Sequence, residues 1–307
     1  MIVKNTFTTD EIVMNSVLSA LGYYSLFRYP LKADEIYGNL PITCSLSALL
    51  VALEDLDEAG RIYKFDGYYS LDSTVRQQVL CRKAANALAE EKKDKAIKVG
   101  KFISKFPFVR FVGVSGSLSK GYADHKSDFD YFIVTAENRL WICRTLLHLF
   151  KKMTFLAGQQ NKFCMNYFVD IHKLEIEEKN RFTAIELSSL IPVSGFYTYV
   201  LLEDANKWVK RYLPNGYVGF SRSPAAIHDG KTSLKTALEF VINKFFPLKL
   251  NSSLMKITDT KWRKKWAKKN FPMEEYDLAF KTTLHISKNH PKNHQKRVLK
   301  AISGFDD

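Results

Sequence analysis

Residues 112–135, VGVSGSLSKGYADHKSDFDYFIVT, contain the pattern that decides the fold. An apolar run at 108–114 stops at Gly116 and Ser117, and a second apolar run occupies 131–134. Two short apolar runs separated by residues that favour turns predict a strand, a turn and a second strand. We therefore expect the rest of the chain to be organised around this strand–turn–strand unit.

Two aspartates open the second strand. Successive side chains of a strand point to opposite faces, so Asp128 and Asp130 are predicted to share one face while Phe129 lies on the other. Two ionised carboxylates this close repel each other unless a divalent cation lies between them, and aspartate oxygens suit Mg²⁺ or Mn²⁺ better than zinc. The turn at Gly116 and Ser117 leaves backbone N–H groups that can meet phosphate oxygens. A metal next to a phosphate cradle indicates nucleotide chemistry.

These residues resemble the motif of the DNA-polymerase-β-like nucleotidyltransferase superfamily, which is Gly-Ser, a further Gly and then Ser-Asp-x-Asp on the next strand. The matching residues are Gly116, Ser117, Gly121, Ser127, Asp128 and Asp130. The step of eleven residues from Ser117 to Asp128 is usual for the minimal and antibiotic-modifying branches. An Asp-x-Asp pair alone is a weak signal, whereas Gly-Ser at this spacing between apolar strands is specific.

The resemblance implies an activity and a set of roles. In this superfamily an acceptor oxygen attacks the α-phosphorus of a nucleoside triphosphate, and divalent cations, Mg²⁺ or Mn²⁺, neutralise the developing charge. Asp128 and Asp130 would ligate the metal ions. Gly116 and Ser117 would hold the β- and γ-phosphates.

A third carboxylate is expected from a later strand, which the pattern places at 162–172. Alternation there puts Asn166 and Asp170 together on one face. In the superfamily a carboxylate on such a strand completes the metal site, and the resemblance assigns this role to Asp170. No tight motif marks the position, so Glu175 and Glu177 are alternatives.

Three more residues are candidates for contact with the nucleotide. Ser127 belongs to the motif, and Lys120 lies in the turn between the strands. Related enzymes use a basic residue from a following helix to meet the triphosphate, which the resemblance carries to Lys207. A charge that merely complements a helix end is the alternative interpretation of Lys207.

The first residues of the chain resemble a winged helix. Helical patterns at 10–24, 30–37 and 45–58 are followed by two short strands joined by Asp66-Gly67, which is a hairpin signal. A winged helix often binds DNA through its third helix, where cationic side chains meet phosphates. No Lys or Arg occurs between 43 and 60. DNA binding is therefore disfavoured, and docking or dimerisation is the expected role.

The predicted fold class is α+β, with a mixed sheet in the nucleotidyltransferase core. We expect a winged-helix-like domain at 1–72, a connecting helix at 73–105, a catalytic domain at 106–215 and a basic helical region at 216–307.

Much of the formal net charge of +14 lies near the C-terminus, because residues 231–307 contain 17 Lys and Arg against 7 Asp and Glu. This asymmetry favours an anionic partner such as RNA. Trp262 and Trp266 lie among these cations and could stack on unpaired bases. Their i, i+4 spacing is equally typical of a core-facing helix.

The composition and the amino-terminal residues limit the classes of protein to which this chain can belong. A hydrophobic content of 46% fits a globular chain with a substantial core. The amino terminus lacks a signal-peptide pattern and no apolar run approaches the length of a membrane span, so we expect a cytoplasmic protein. The cysteines are expected to be buried free thiols in a reducing compartment. They are Cys44, Cys81, Cys143 and Cys164.

Two functions are therefore open. The first is a metal-dependent nucleotidyltransferase acting on an unknown acceptor, which the sequence does not distinguish among RNA, a nucleotide, a protein and a small molecule. The alternative is a catalytically silent module that binds nucleic acid through the winged helix or the basic C-terminal region. The intact pair of Asp128 and Asp130 favours the first.

Overall fold

The computed structural model describes residues 8–155, 163–216, 230–291 and 293–302. The described chain is mixed α and β, as predicted, and it contains a small sheet and a large mixed sheet. The first elements are α1 (Thr9–Ser25), β1 (Leu31–Lys32), α2 (Ala33–Asn39), α3 (Leu46–Glu58), β2 (Tyr63–Phe65), β3 (Tyr68–Ser70) and α4 (Val75–Ile103).

The amino-terminal helices pack on the small sheet, whose strand order is β1-β3-β2. Thr8 and Ser45 begin α1 and α3 by accepting hydrogen bonds from backbone N–H groups of the first turn. Asp66 and Gly67, with φ of 53° and 76°, form the turn between β2 and β3, which confirms the predicted hairpin. The long helix predicted at 73–105 is confirmed as α4.

The large sheet is built by the central part of the chain. Its elements are β4 (Val109–Ser115), α5 (Gly116–Ser119), β5 (Asp130–Thr135), α6 (Leu140–Phe155), β6 (Cys164–Asp170), α7 (Arg181–Ser188), β7 (Ile191–Ser194) and α8 (Phe196–Ala205). The strand order is β7-β4-β5-β6-β9-β8, in which β5 and β6 are parallel and the other neighbours are antiparallel. The sequence pattern at 181–213 predicts two helices with a break near Pro192 to Gly195, and in the structure this break contains the strand β7 at the edge of the sheet.

The C-terminal region is not only helical, contrary to the prediction. Its elements are α9 (Ser233–Phe245), α10 (Leu248–Ala267), α11 (Tyr276–Ala279), β8 (Phe280–Thr282), β9 (Ile286–Asn289) and α12 (His294–Ile302). Strand β9 pairs with β6, so the last region completes the central sheet. The Gly, Ser and Pro content of residues 214–230 predicts a loop, most of which, 217–229, lies outside the described residues.

Helices cover both faces of the large sheet. On one face α4 and α6 pack on Val112, Ile133 and Phe168. On the other face α7, α8 and α12 pack on Phe132 and Val134. The strands β4, β5 and β6 therefore divide their buried apolar side chains between two cores.

The two tryptophans of α10 lie in a third apolar cluster. Trp262 and Trp266 pack against Phe280, and the ring of Trp266 stacks on it with centroids 5.0 Å apart. The core-facing interpretation of their spacing is therefore confirmed. Both rings are only partly buried, and their stacking on RNA bases stays a prediction.

The cysteines differ in exposure more than expected. Cys143 is buried, Cys44 and Cys164 are partly buried, and Cys81 is exposed on α4. All four are free thiols, as predicted, but the expectation that each is buried was wrong. Cys81 follows an apolar residue in sequence yet lies on the solvent face of its helix.

Candidate nucleotide and metal site

The turn after β4 is built around a glycine that no other residue can replace without strain. Gly116 has a φ of +72°, which favours glycine, and a Cβ at this position would lie 2.6 Å from Asp130 Oδ2. Antiparallel pairing places Ser115, the last residue of β4, opposite Asp130, the first residue of β5. The backbone of the turn therefore borders the carboxylate directly, and the Ser117 side chain beside it is exposed.

Helix α4 braces the loop that joins this turn to the aspartates. Lys92 Nζ donates hydrogen bonds to the carbonyl oxygens of Asp124 and Ser127, at 2.6 and 3.3 Å. The Ser127 hydroxyl donates to Asp124 Oδ1 at 2.8 Å and accepts from the Asp124 N–H at 2.8 Å. Ser127 thus stabilises the loop, and the structure does not direct its hydroxyl towards a nucleotide.

Asp130 is the first residue of β5 and Asp128 precedes it by two residues, and the neighbours of Asp130 confirm the face predicted for it. Phe129 and Tyr131 enter the core beneath α4 and α6, while Asp130 lies on the face of Phe132. Burial, and then the charge of Asp128, raise the pKa of Asp130 from 3.8 to about 6. A carboxylate held next to another one in a partly buried site is a position where a cation is favoured.

Two residues of β6 complete the surroundings of the pair. Asn166 Nδ2 donates to Asp130 Oδ1 at 3.1 Å, and Cys164 Sγ lies 3.8 Å from Asp128 Oδ2. Burial, and then the charge of Asp130, raise the pKa of the Cys164 thiol to about 11. An amide donor and a protonated thiol therefore occupy the part of β6 next to the aspartates.

The structure does not bring Asp170 to this site. In the parallel pairing of β5 with β6, Asp130 is opposite Cys164 and Asp170 is opposite Thr135, at the other end of β5. Five residues of strand separate the two levels, which corresponds to about 16 Å. The prediction that Asp170 ligates the metal ions of Asp128 and Asp130 is therefore wrong for this structure.

A bulge in β6 explains why alternation was misleading. The register shifts by one residue between Met165 and Tyr167, so Asn166 is an extra residue without a partner on β5. Met165 and Tyr167 consequently face opposite sides of the sheet instead of sharing one. Beyond the bulge every side chain changes face, and Asp170 comes to lie on the face opposite that of Asp130.

Asp170 has a structural role instead. Its side chain is fully buried and accepts hydrogen bonds from the backbone N–H groups of Asn138 and His172, at 3.2 and 3.0 Å. His285 Nδ1 lies 2.7 Å from Asp170 Oδ2. The carboxylate joins the loop before α6, the end of β6 and the β8–β9 hairpin.

The alternative carboxylates lie at the same distant end. Glu175 forms an ion pair with Lys179, and Glu177 forms one with Lys281. Both glutamates follow β6 beyond Asp170 and are exposed. Neither is placed near the aspartate pair.

The two candidate lysines have different positions. Lys120 Nζ donates to the Gly116 carbonyl oxygen at 3.1 Å, and its charge lowers the pKa of Asp130 against the larger raising effects. Lys207 forms an ion pair with Asp204. The residue before it, Asn206, donates a hydrogen bond from Nδ2 to the carbonyl oxygen of Leu174, which follows the end of β6 that is distant from Asp130. Lys120 therefore belongs to the site, whereas the structure does not place Lys207 there.

Sequence reasoning assigned no site role to Glu186, Cys164 or Asn166. Glu186 Oε1 accepts a hydrogen bond from Lys120 at 2.7 Å, and its charge contributes to the raised pKa of Asp130. The only signal for Asn166 was its polarity within an apolar strand. Glu186 lies in an ordinary helical pattern, which contains no signal for it.

The donor set fits a divalent cation only in part. In the ranges that the structure describes, no three His, Cys, Asp or Glu side chains are grouped closely enough to hold a metal ion. Asp128 and Asp130 supply two carboxylates whose repulsion a cation would relieve, and a nucleotide phosphate would have to supply further oxygen ligands. The residues thus fit one cation shared with a bound phosphate, and a protein carboxylate for a second cation is not provided by β6.

Comparison with protein-family models, curated proteins and solved structures gave no match for this chain. Among the helices that the structure describes, none has the combined length and hydrophobicity needed to cross a bilayer.

Proposed function

We propose that this protein is a metal-dependent nucleotidyltransferase, which transfers a nucleoside monophosphate from a nucleoside triphosphate to an acceptor. The observation that supports the proposal most directly is the close approach of the Gly116 backbone to Asp130, whose pKa is also raised by the nearby charge of Asp128. A backbone turn suited to phosphates and a pair of carboxylates suited to a cation are the two parts that this chemistry requires.

The chain's own residues have distinct tasks in this proposal. The N–H groups of Gly116 and Ser117, with the Ser117 hydroxyl, bind the β- and γ-phosphates, and Lys120 adds a positive charge beside them. Asp128 and Asp130 hold Mg²⁺ or Mn²⁺, which when bound would neutralise charge on the phosphate oxygens. An acceptor oxygen then attacks the α-phosphorus and pyrophosphate leaves.

The three helices and the small sheet of the amino-terminal module support the proposal that this module is a winged helix. It is docked on the catalytic part of the same chain, because Arg181 of α7 donates to the Asn39 carbonyl oxygen at 3.1 Å. Tyr29 reaches the site turn, where its hydroxyl donates to the Lys120 carbonyl oxygen at 3.4 Å. We propose that the module supports the active-site turn rather than binding DNA.

The test is incubation with each α-labelled nucleoside triphosphate and Mg²⁺, with and without total cellular RNA. We expect label transfer or pyrophosphate release by the wild type, and its loss in Asp128→Asn and Asp130→Asn. Asp277→Asn, at an exposed aspartate that pairs with Arg263 of α10, is the control that should retain activity. Undiminished turnover in both site variants would contradict the proposal.

A second candidate is a nucleotide-binding module without turnover. The observation that favours it is that β6 places Cys164 and Asn166 beside Asp130, where a carboxylate would be needed for a second metal ligand set. This alternative predicts that Asp128 and Asp130 support Mg²⁺-dependent nucleotide binding while no nucleotide is consumed. Calorimetric binding without any pyrophosphate release would favour it.

A further inference from the structure

Helix α9 is attached to the rest of the protein through charged side chains. Lys235 is buried, and its Nζ donates hydrogen bonds to the carbonyl oxygens of Ser104 and Val109, at 2.9 and 2.6 Å. One turn later, Glu239 accepts hydrogen bonds from both terminal nitrogens of Arg110, at 2.8 and 2.9 Å. These bonds hold the charged face of α9 against the region where α4 ends and β4 begins.

Most of the apolar side chains of α9 are exposed instead. Four of them have the spacing of a single helical stripe, i, i+4, i+7 and i+11, and they are Leu234, Leu238, Val241 and Phe245. Leu234 and Phe245, at the two ends of the stripe, are 71% and 67% exposed. A helix that covers a core turns such a stripe inwards. In the part of the chain that the structure describes, the stripe of α9 has no cover.

The stripe continues into the corner between α9 and α10. The corner consists of Phe245, Phe246, Pro247 and Leu248, which are all exposed. Four consecutive side chains cannot all point to one side of the chain, so exposure of all four means that the corner projects from the surface. A partner helix binds in a groove, whereas a projecting apolar corner is suited to enter the boundary between lipid headgroups and acyl chains.

The charges around this surface have one sign. Lys244 and Lys249 are exposed on either side of the corner. The single acidic residue between 231 and 258 is Glu239, whose carboxylate is bonded to Arg110. A second copy of the chain would bring the same lysines to this surface and no acidic side chain to meet them. A nucleic acid would pair with the lysines but would leave the apolar stripe against phosphates and water.

We propose that the stripe of α9 and the corner after it, together the α9 surface, bind a bilayer that contains anionic lipids. The apolar side chains of Leu238, Val241 and Phe245 enter the boundary between headgroups and acyl chains, and the helix lies parallel to the bilayer. Lys244 and Lys249 remain among the anionic headgroups. Apolar burial and electrostatic attraction both contribute to binding of this kind, so salt should weaken the binding without abolishing it.

The attachment of α9 leaves the candidate nucleotide site accessible in the bound protein. Helix α9 is bonded at Val109 and Arg110, the first residues of β4, whereas the Gly116 turn follows the last residue of that strand. Seven residues of strand separate the two ends by roughly 20 Å. Binding to a bilayer would therefore place the protein at a membrane surface and keep its site turn away from the point of attachment.

The test is co-sedimentation of the full chain with vesicles of phosphatidylcholine alone and of phosphatidylcholine mixed with phosphatidylserine. We expect the wild type to bind the mixed vesicles more tightly. The double variant Phe245→Ser with Phe246→Ser keeps every charge, and its affinity for the mixed vesicles should fall by roughly tenfold or more, because two apolar rings no longer enter the lipid. Tyr197→Ser, which changes a 77% exposed ring on α8, is the matched control and should bind like the wild type.

The charges are tested by Lys244→Glu with Lys249→Glu, which should reduce binding to the mixed vesicles towards the level seen with phosphatidylcholine alone. Equal binding of the mixed vesicles by the wild type and by the phenylalanine double variant would mean that net charge alone attracts the protein, and it would overturn the proposal. Failure of the wild type to bind the mixed vesicles would also overturn it. In that case, a dimer in analytical ultracentrifugation that the phenylalanine double variant converts to a monomer would assign the α9 surface to a second copy of the chain.

Discussion

Replacing Asp130 by asparagine should stabilise the ligand-free protein at neutral pH. The pKa of Asp130 is raised from 3.8 to about 6 by burial and by the charge of Asp128. In an unfolded chain this carboxylate loses its proton near pH 4, so between pH 4 and 6 the folded state binds more protons than the unfolded state. The free energy of unfolding therefore decreases as pH rises through this window.

The size of the effect follows from the same pKa. A change from 3.8 to about 6 corresponds to roughly 3 kcal/mol of unfavourable free energy for the ionised form. Asp130 is partly exposed, and the change also alters the hydrogen bond from Asn166. We therefore expect Asp130→Asn to gain about 1–2 kcal/mol at pH 7.5 and little or nothing at pH 4.

Urea unfolding at several pH values, with and without Mg²⁺, measures this directly. Mg²⁺ should stabilise the wild type at pH 7.5 and leave Asp130→Asn unaffected. Asp124→Asn is a control of opposite sign, because hydrogen bonds from Ser127 and Lys126 lower the pKa of Asp124. Its stability deficit should be present at neutral pH and disappear as pH falls. A pH-independent difference between wild type and Asp130→Asn would refute the reasoning.

Two further changes test the assignment of roles at the two ends of β5. Asp170→Asn should lower the free energy of unfolding by about 1–3 kcal/mol, because the buried carboxylate that bonds to His285 and to backbone N–H groups is altered. Its nucleotide affinity should stay that of the wild type. Loss of affinity without loss of stability would contradict this. Gly116→Ala should destabilise the protein by about 1–3 kcal/mol and abolish Mg²⁺-dependent nucleotide binding, because the new Cβ clashes with Asp130 and the positive φ is strained for alanine. Gly60 also has a positive φ but has open space around it. Calorimetry on Gly116→Ala and on Gly60→Ala therefore separates the local clash from general backbone strain.

The local parts of the candidate site could be predicted from the sequence. One strand–turn–strand unit contains Gly116, Asp128 and Asp130. The number of residues between the turn and the aspartates, with the alternation of side chains along one strand, was therefore sufficient to predict that they lie close together. The turn at Asp66-Gly67 was predictable for the same reason, since two neighbouring residues with positive φ specify the hairpin.

The same alternation gave the wrong result on β6. One extra residue at Asn166 reverses the face of every later side chain, and no residue type in the strand announces the bulge. The parallel register then places Asp170 opposite Thr135 instead of Asp130. Alternation alone therefore assigned a metal-ligand role to a carboxylate that stabilises the other end of the sheet.

What the sequence determined by itself is the turn with its aspartate pair, because short-range backbone geometry and the two-residue period of a strand act within a few residues. What only the tertiary structure decided is which distant side chains join them. Glu186 reaches Lys120 through the packing of α7 on the sheet, and the β8–β9 hairpin reaches β6 from more than a hundred residues away. Such neighbours are set by strand register and by the burial of whole faces, and these depend on the packed core as a unit.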